Sequence, residues 1–170
     1  MTPKSLLRHP ACVSPLNRFT DGAFETVLTS TTRRAEPASR LLLCSGKIYY
    51  DLEDFATKHE IGDSAIVRIE QLNPFPAARL AELCREHADA TEVVWVQEEP
   101  RNMGAWGFVC ERLRELLLPD RQLGYLGRPP AASPATGSHK RHVAEQEDLV
   151  RRALDPAGSG VPRHARVDLP

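Results

Sequence analysis

Between residues 40 and 154 short apolar runs alternate with amphipathic stretches. "RLLLCSG" is a continuous apolar run stopped by Gly46, the pattern of a strand buried on both faces. "KIYYDLEDFATKH" places Ile48, Leu52, Phe55 and Ala56 at helical spacing on one face. "SAIVRIEQL" predicts a second strand, closed by the turn composition "NPFP". "AARLAELCREH" carries Leu80, Leu83, Cys84 and His87 on one helical stripe. "TEVVWVQEEP" predicts a third strand. "GAWGFVCERLRELLL" then predicts a helix with Trp106, Val109, Cys110, Leu113 and Leu117 facing inward. "RQLGYLGR" is a short fourth strand, and "HKRHVAEQEDLVRRAL" a last helix with Val143, Leu149 and Leu154 as core contacts.

Strands separated by single helices pair in parallel through right-handed crossovers. The pattern therefore predicts an α/β fold, a small and mainly parallel sheet with helices on both faces. Residues 1–39 read as a linker or extended N-terminal segment, with "FETVL" as a short strand inside it. Residues 40–154 form the α/β domain, and the Pro- and Gly-rich residues 155–170 read as a disordered tail. In such sheets the loops after the carboxyl ends of the strands share one edge. Here they are "CSGK", "EQLNPFP", "QEEPRNMG" and the Pro-rich "GRPPAASPATGSHK".

Composition narrows the function. Of 170 residues 41% are hydrophobic and the formal net charge is −1, which offers no electrostatic attraction to nucleic acid or an anionic membrane. No apolar run approaches the roughly 20 residues that span a bilayer, and the N-terminus lacks the apolar core of a secretory signal. The four cysteines are far apart in sequence, so they read as structural thiols in a reducing compartment.

Candidate chemistry falls on the loops. Ser45 and Lys47, at the start of a predicted helix, suit a phosphate or carboxylate, although "CSGK" lacks the spacing of a P-loop. The bland alternative is a tight turn with Ser45 as helix cap. His139, Lys140, Arg141 and His142 open the last helix, where positive charge opposes the macrodipole and therefore suggests an anion or acidic neighbour. A solvated basic turn accounts for them equally. Glu98 and Glu99 point opposite ways on an extended chain and make no carboxylate pair. No catalytic triad, dinucleotide fingerprint or metal-ligand cluster is spelled out, so no catalytic, cofactor-binding or metal-binding residue is assigned.

"SLLRHP", "LLLCSGKIYYDL", "AIVRIEQLNPFP", "VVWVQEEPRNMGAW", "YLGRPPAASPATGSHK" and "EQEDLV" occur in this order over residues 4–154. Together they resemble the last part of the decarboxylating first component of the 2-oxoglutarate dehydrogenase complex, or a close 2-oxoacid relative such as a 2-oxoadipate enzyme. The resemblance implies a transketolase C-terminal-like domain with a structural and dimer-contacting role. It implies that thiamine diphosphate and Mg²⁺ belong to other domains of the full-length enzyme, whose motifs have no counterpart among these residues. It further implies succinyl transfer to a lipoyl arm, partnership with the catalytic domains and the other dehydrogenase components, and an acetyl-CoA effector in some members. Ser45, Lys47, His139, Lys140 and Arg141 are the candidate anion contacts of that effector. The implied compartment is the cytoplasm of a bacterium or the mitochondrial matrix of a eukaryote. A non-enzymatic module binding CoA or a nucleotide phosphate is the competing expectation.

Overall fold

A computed structural model describes residues 3–30, 38–117 and 121–154. The tail expected over residues 155–170 lies outside the described residues.

Five strands form one sheet in the order β1-β3-β2-β4-β5. The strands are β1 (Val27–Thr29), β2 (Arg40–Cys44), β3 (Ser64–Ile69), β4 (Glu92–Pro100) and β5 (Gln122–Arg128). All neighbouring pairs are parallel except β1–β3, which is antiparallel with Val27 opposite Ile69. Chain connections are made by α2 (Ile48–Lys58), α3 (Ala77–Glu86) and α4 (Trp106–Leu116), and α5 (His139–Leu154) follows β5. A 3-10 helix (Lys4–Arg8) and one turn of helix, α1 (Asn17–Thr20), precede β1. The boundary expected at residue 39 thus falls between two strands of a single sheet.

Strand alternation sorts the core into two layers. Leu41, Leu43, Val93 and Trp95 face α3 and α4, where they meet Leu80, Leu83, Val109 and Leu113. Leu42, Cys44, Val94 and Val96 face α2 and α5, against Ile48, Leu52, Leu149 and Leu154. Every residue of β2 is buried, because the central strand is covered on both sides.

Val143 departs from expectation. It is exposed rather than core, and the buried residues of α5 are Leu149, Val150, Ala153 and Leu154. Only the second half of α5 lies over the sheet. Its first turns extend past the strand ends and meet the polar edge instead.

At the opposite end of the sheet, Arg40 is buried. Its Nε donates to Glu92 Oε2 at 2.7 Å and its guanidinium to the Ala153 carbonyl at 2.7 Å. One side chain therefore ties β2, β4 and the end of α5 together.

Candidate functional site

The carboxyl ends of β2, β3, β4 and β5 gather their following loops at one edge, and two polar hubs stand there. Both arise from the alternation of β4 continued past Val96. Trp95 faces one layer and Val96 the other. Gln97 and Glu98 prolong the same alternation with polar side chains.

Gln97 is buried. Its Oε1 accepts from Trp95 Nε1 at 2.9 Å and from the backbone N–H of Trp106 at 3.0 Å. Its amide donates to the carbonyls of Met103 (2.8 Å), Pro100 (3.2 Å) and Glu99 (3.3 Å). A single amide thus meets two donors with its oxygen and shares its two N–H groups among three carbonyls, folding "EEPRNMGAW" back onto its own strand. Gly104 makes this possible. It has φ +66, and a Cβ there would stand 3.0 Å from Gln97 Nε2. The register of β4 against β5 shifts here, with Val96 opposite Leu126 and Pro100 opposite Arg128. A bulge of this kind re-aims side chains at a strand end.

Glu98 points to the other layer. Lys47 Nζ lies 2.9 Å from Glu98 Oε2 and 3.0 Å from Asp51 Oδ2. Gln146 of α5 donates to both carboxylates, at 2.8 Å to Asp51 and 3.0 Å to Glu98. Arg128 donates in turn to Gln146 Oε1 at 3.2 Å, and it stands 3.1 Å from His142 Nδ1. Its Nε is 3.1 Å from Glu145 Oε2, an electrostatic contact rather than a well-angled hydrogen bond. Glu145 also accepts from Arg141 Nε at 2.6 Å. One continuous chain of charge therefore runs from β2–α2 through β4 and β5 into the first turns of α5.

Burial by itself would depress the Lys47 ammonium. The hydrogen bonds and negative charges of Glu98 and Asp51 outweigh that effect and leave its pKa raised. Lys47 is charged and already neutralised by two carboxylates.

The sequence-derived site residues accordingly divide. Lys47 and Arg141 belong to one network, joined through Glu98, Gln146, Arg128 and Glu145. Ser45 is half-buried and does not cap α2; Lys47 occupies the capping position, its side chain reaching Asp51 rather than a backbone N–H of the first turn, while Gly46, at φ +73, turns the chain. That corrects the capping alternative, because the αL glycine places the helix start beyond the serine's reach. His139 and Lys140 are exposed at the start of α5. Ser138 Oγ accepts from the Arg141 N–H at 3.4 Å, so the cap comes from the residue before the basic turn. Asp51, Gln146, Arg128 and Glu145 were not singled out from sequence. Lys47–Asp51 and Arg141–Glu145 are i,i+4 pairs that were legible; the contacts that join them are long-range.

The Pro-rich segment is pinned from the same edge. Asn102 Nδ2 donates to the Ala131 carbonyl at 3.0 Å, and Asn102 Oδ1 accepts from the Ala131 N–H at 3.1 Å. Most of the segment's outer face is exposed.

Among the described residues no group of three or more His, Cys, Asp and Glu stands together to hold a metal ion. The edge carboxylates Asp51 and Glu98 are both engaged by Lys47 and Gln146. These residues therefore do not fit a magnesium-diphosphate group. All four cysteines are free; Cys44 is buried, and that burial pushes its thiol pKa up, which makes it unreactive. No helix among the described residues is long and apolar enough to cross a membrane.

A mostly parallel five-stranded sheet, covered by helices on both faces and carrying an interlocked polar edge, defines an α/β lobe like the C-terminal domain of transketolase-type proteins. The chain belongs to the family described as 2-oxoglutarate dehydrogenase C-terminal, which matches residues 13–154. It is 44% identical over 155 residues to the 2-oxoglutarate dehydrogenase E1 component of Cupriavidus necator. It is 42% identical over 158 residues to that of Shouchella clausii, and 44% over 161 residues to that of Bacillus anthracis. Each match covers 91% of this chain but only 16–17% of the relative.

Proposed function

We propose that this chain is the C-terminal structural and dimer-contacting lobe of a 2-oxoglutarate dehydrogenase decarboxylating component. In this reading it completes an enzyme that decarboxylates 2-oxoglutarate and passes the succinyl group to a lipoyl arm, in the cytoplasm of a bacterium. Thiamine diphosphate and Mg²⁺ belong to the catalytic domains, and no chemical step is assigned to a residue of this chain. The observation that carries the reading is the character of the polar edge. Its charges are spent on one another, from Lys47 to Arg141, so it holds strand ends and α5 in fixed relation rather than presenting a free acid, base or nucleophile. Such a network is suited to presenting a stiff surface to a larger body.

An acetyl-CoA effector is the finer part of the proposal. Lys140 and His139 lie exposed at the start of α5, next to Arg141. An anion bound there would compete with Glu145 for Arg141. The same competition at Lys47 would involve Asp51 and Glu98. An effector would thereby loosen the ties between α5 and the strand ends, which gives it a mechanical route into the lobe. A module that binds CoA or a nucleotide phosphate independently is less favoured, because Lys47 is already neutralised.

The test is a 2-oxoglutarate decarboxylation assay of the purified chain with thiamine diphosphate and Mg²⁺, together with calorimetric titration of acetyl-CoA, CoA and AMP. The proposal expects no turnover, and weak acetyl-CoA binding that Lys140→Glu abolishes. Turnover by the chain alone would overturn it. Equal binding of all three ligands would replace the effector role with a general phosphate module.

A further inference from the structure

The least explained surface of this molecule is its N-terminal segment. Every residue from Pro10 to Glu25 is exposed. Leu7, Val13, Leu16, Phe19 and Phe24 are between 70% and 80% exposed; among the described residues the next large apolar side chain that is exposed is Val143, at 38%. Isolated exposed apolar residues are ordinary, but five within one short stretch are not.

The segment is held at both ends. His9 packs against the buried Tyr50 with ring centroids 5.1 Å apart, and its Nε2 lies 3.6 Å from Asp54 of α2. At the other end Val27 enters the sheet opposite Ile69. Between these anchors the polar side chains satisfy one another. Arg18 pairs with Glu25 at 3.1 Å, and the Thr20 hydroxyl donates to Asp21 at 2.9 Å. The polar groups are thus used locally while the large apolar ones face outward, an inversion of the usual surface arrangement.

We infer that the strap from Pro10 to Glu25, with Leu16 and Phe19 at its centre, is a docking surface for the catalytic body of a 2-oxoglutarate dehydrogenase E1 component. The inference rests on the proposed function and names the surface through which it acts. Two facts identify the occupant. The family match begins at residue 13, so Val13, Leu16, Phe19 and Phe24 lie inside the region shared with the relatives. In those relatives the matched region is only 16–17% of the chain, so it is joined to a body about five times larger than itself, against which an exposed apolar strap could be covered. A strap tethered at both ends also loses little conformational freedom on docking, which favours a defined contact over loose adhesion.

The test replaces the matching C-terminal region of the full-length Cupriavidus necator E1 component with this chain, and compares it with the same chimera bearing Leu16→Glu and Phe19→Glu. Leu16 and Phe19 are 80% and 75% exposed, so the isolated double variant should keep its far-ultraviolet circular dichroism and unfolding midpoint. The expected result is an active, assembled chimera whose activity falls at least tenfold in the double variant, with an increase in the hydrophobic-dye binding that the assembled form lacks. A double variant as active and as well assembled as its parent would overturn the inference while leaving the proposed function standing. An inactive parent chimera would overturn both. If sedimentation shows the isolated chain dimerising and the double variant monomeric, the strap belongs to a second copy of this chain and the inference falls.

Discussion

Lys47 Nζ lies 2.9 Å from Glu98 Oε2, a contact that joins the start of α2 to the end of β4 across the edge of the sheet. Replacing Lys47 by Met leaves Asp51 and Glu98 facing each other across Gln146 with no cation between them. Both carboxylates retain some solvent, so the expected loss is about 1–2 kcal/mol rather than that of a fully buried pair. The urea midpoint measures it. Adding Glu98→Gln to Lys47→Met should recover part of the loss, because it removes the stranded charge.

Gln97 carries the other hub, and its replacement should cost more. Gln97→Leu keeps the volume but strands Trp95 Nε1, on a fully buried ring, and the N–H of Trp106. Two buried unsatisfied donors predict a loss of about 2–4 kcal/mol. Tryptophan fluorescence reports it directly, since the Trp95 indole donates to the hub. An unchanged emission maximum and unfolding midpoint would show that the amide is dispensable.

Arg40→Met removes the partner of Glu92 at the amino-terminal end of the sheet. An uncompensated carboxylate in that part-buried position predicts a destabilisation of about 2 kcal/mol, short of the cost in a fully buried pair. The double change Arg40→Met with Glu92→Leu should be nearer wild type than either single change, as measured by chemical denaturation.

Alkaline pH should destabilise the fold over the range in which free tyrosines ionise and the buried ones do not. Burial raises Tyr49 and Tyr125 from their ordinary value of 10.0 to about 12, in Tyr125 against the lowering effects of Arg101 and Gln97. Lys47 is raised as well. Between pH 10 and 12 the unfolded chain has released protons that the folded chain retains, so stability falls as pH rises. The contribution is complete below pH 10 and is lost through about 12. Urea midpoints across this range should decline, and Tyr125→Phe should flatten the decline. A midpoint constant up to pH 12 would contradict the burial argument.

Asn102→Ala should free the Pro-rich segment without unfolding the domain. The paired hydrogen bonds to Ala131 are lost, so hydrogen exchange at the Ala131 N–H should accelerate while exchange within β4 stays the same. The bonds are exposed, and the global cost should be below about 1 kcal/mol.

Periodicity made most of the fold legible. β2 was readable because a central strand must be apolar on both faces, and α3 and α4 because one stripe of each must meet the sheet. Val143 was misread because helical spacing does not reveal where the sheet beneath a helix ends. Lys47 was noticed for its position, but its neutralisation was invisible, since Glu98 and Gln146 reach it only through the tertiary fold. Gln97 carried no signal at all: a glutamine at a strand end looks like a surface residue until Gly104 brings a loop back over it. The edge was therefore legible as a place, and its internal pairing was not.

The central claim is that this chain supports a catalytic body and performs no chemistry alone. The most direct measurement is 2-oxoglutarate turnover, with thiamine diphosphate and Mg²⁺, by three proteins: the chain alone, the Cupriavidus necator E1 component lacking the matching region, and that component with this chain in its place. The account predicts turnover only in the third. Turnover by the chain alone, or an exchange that leaves the third protein as inactive as the second, would contradict it.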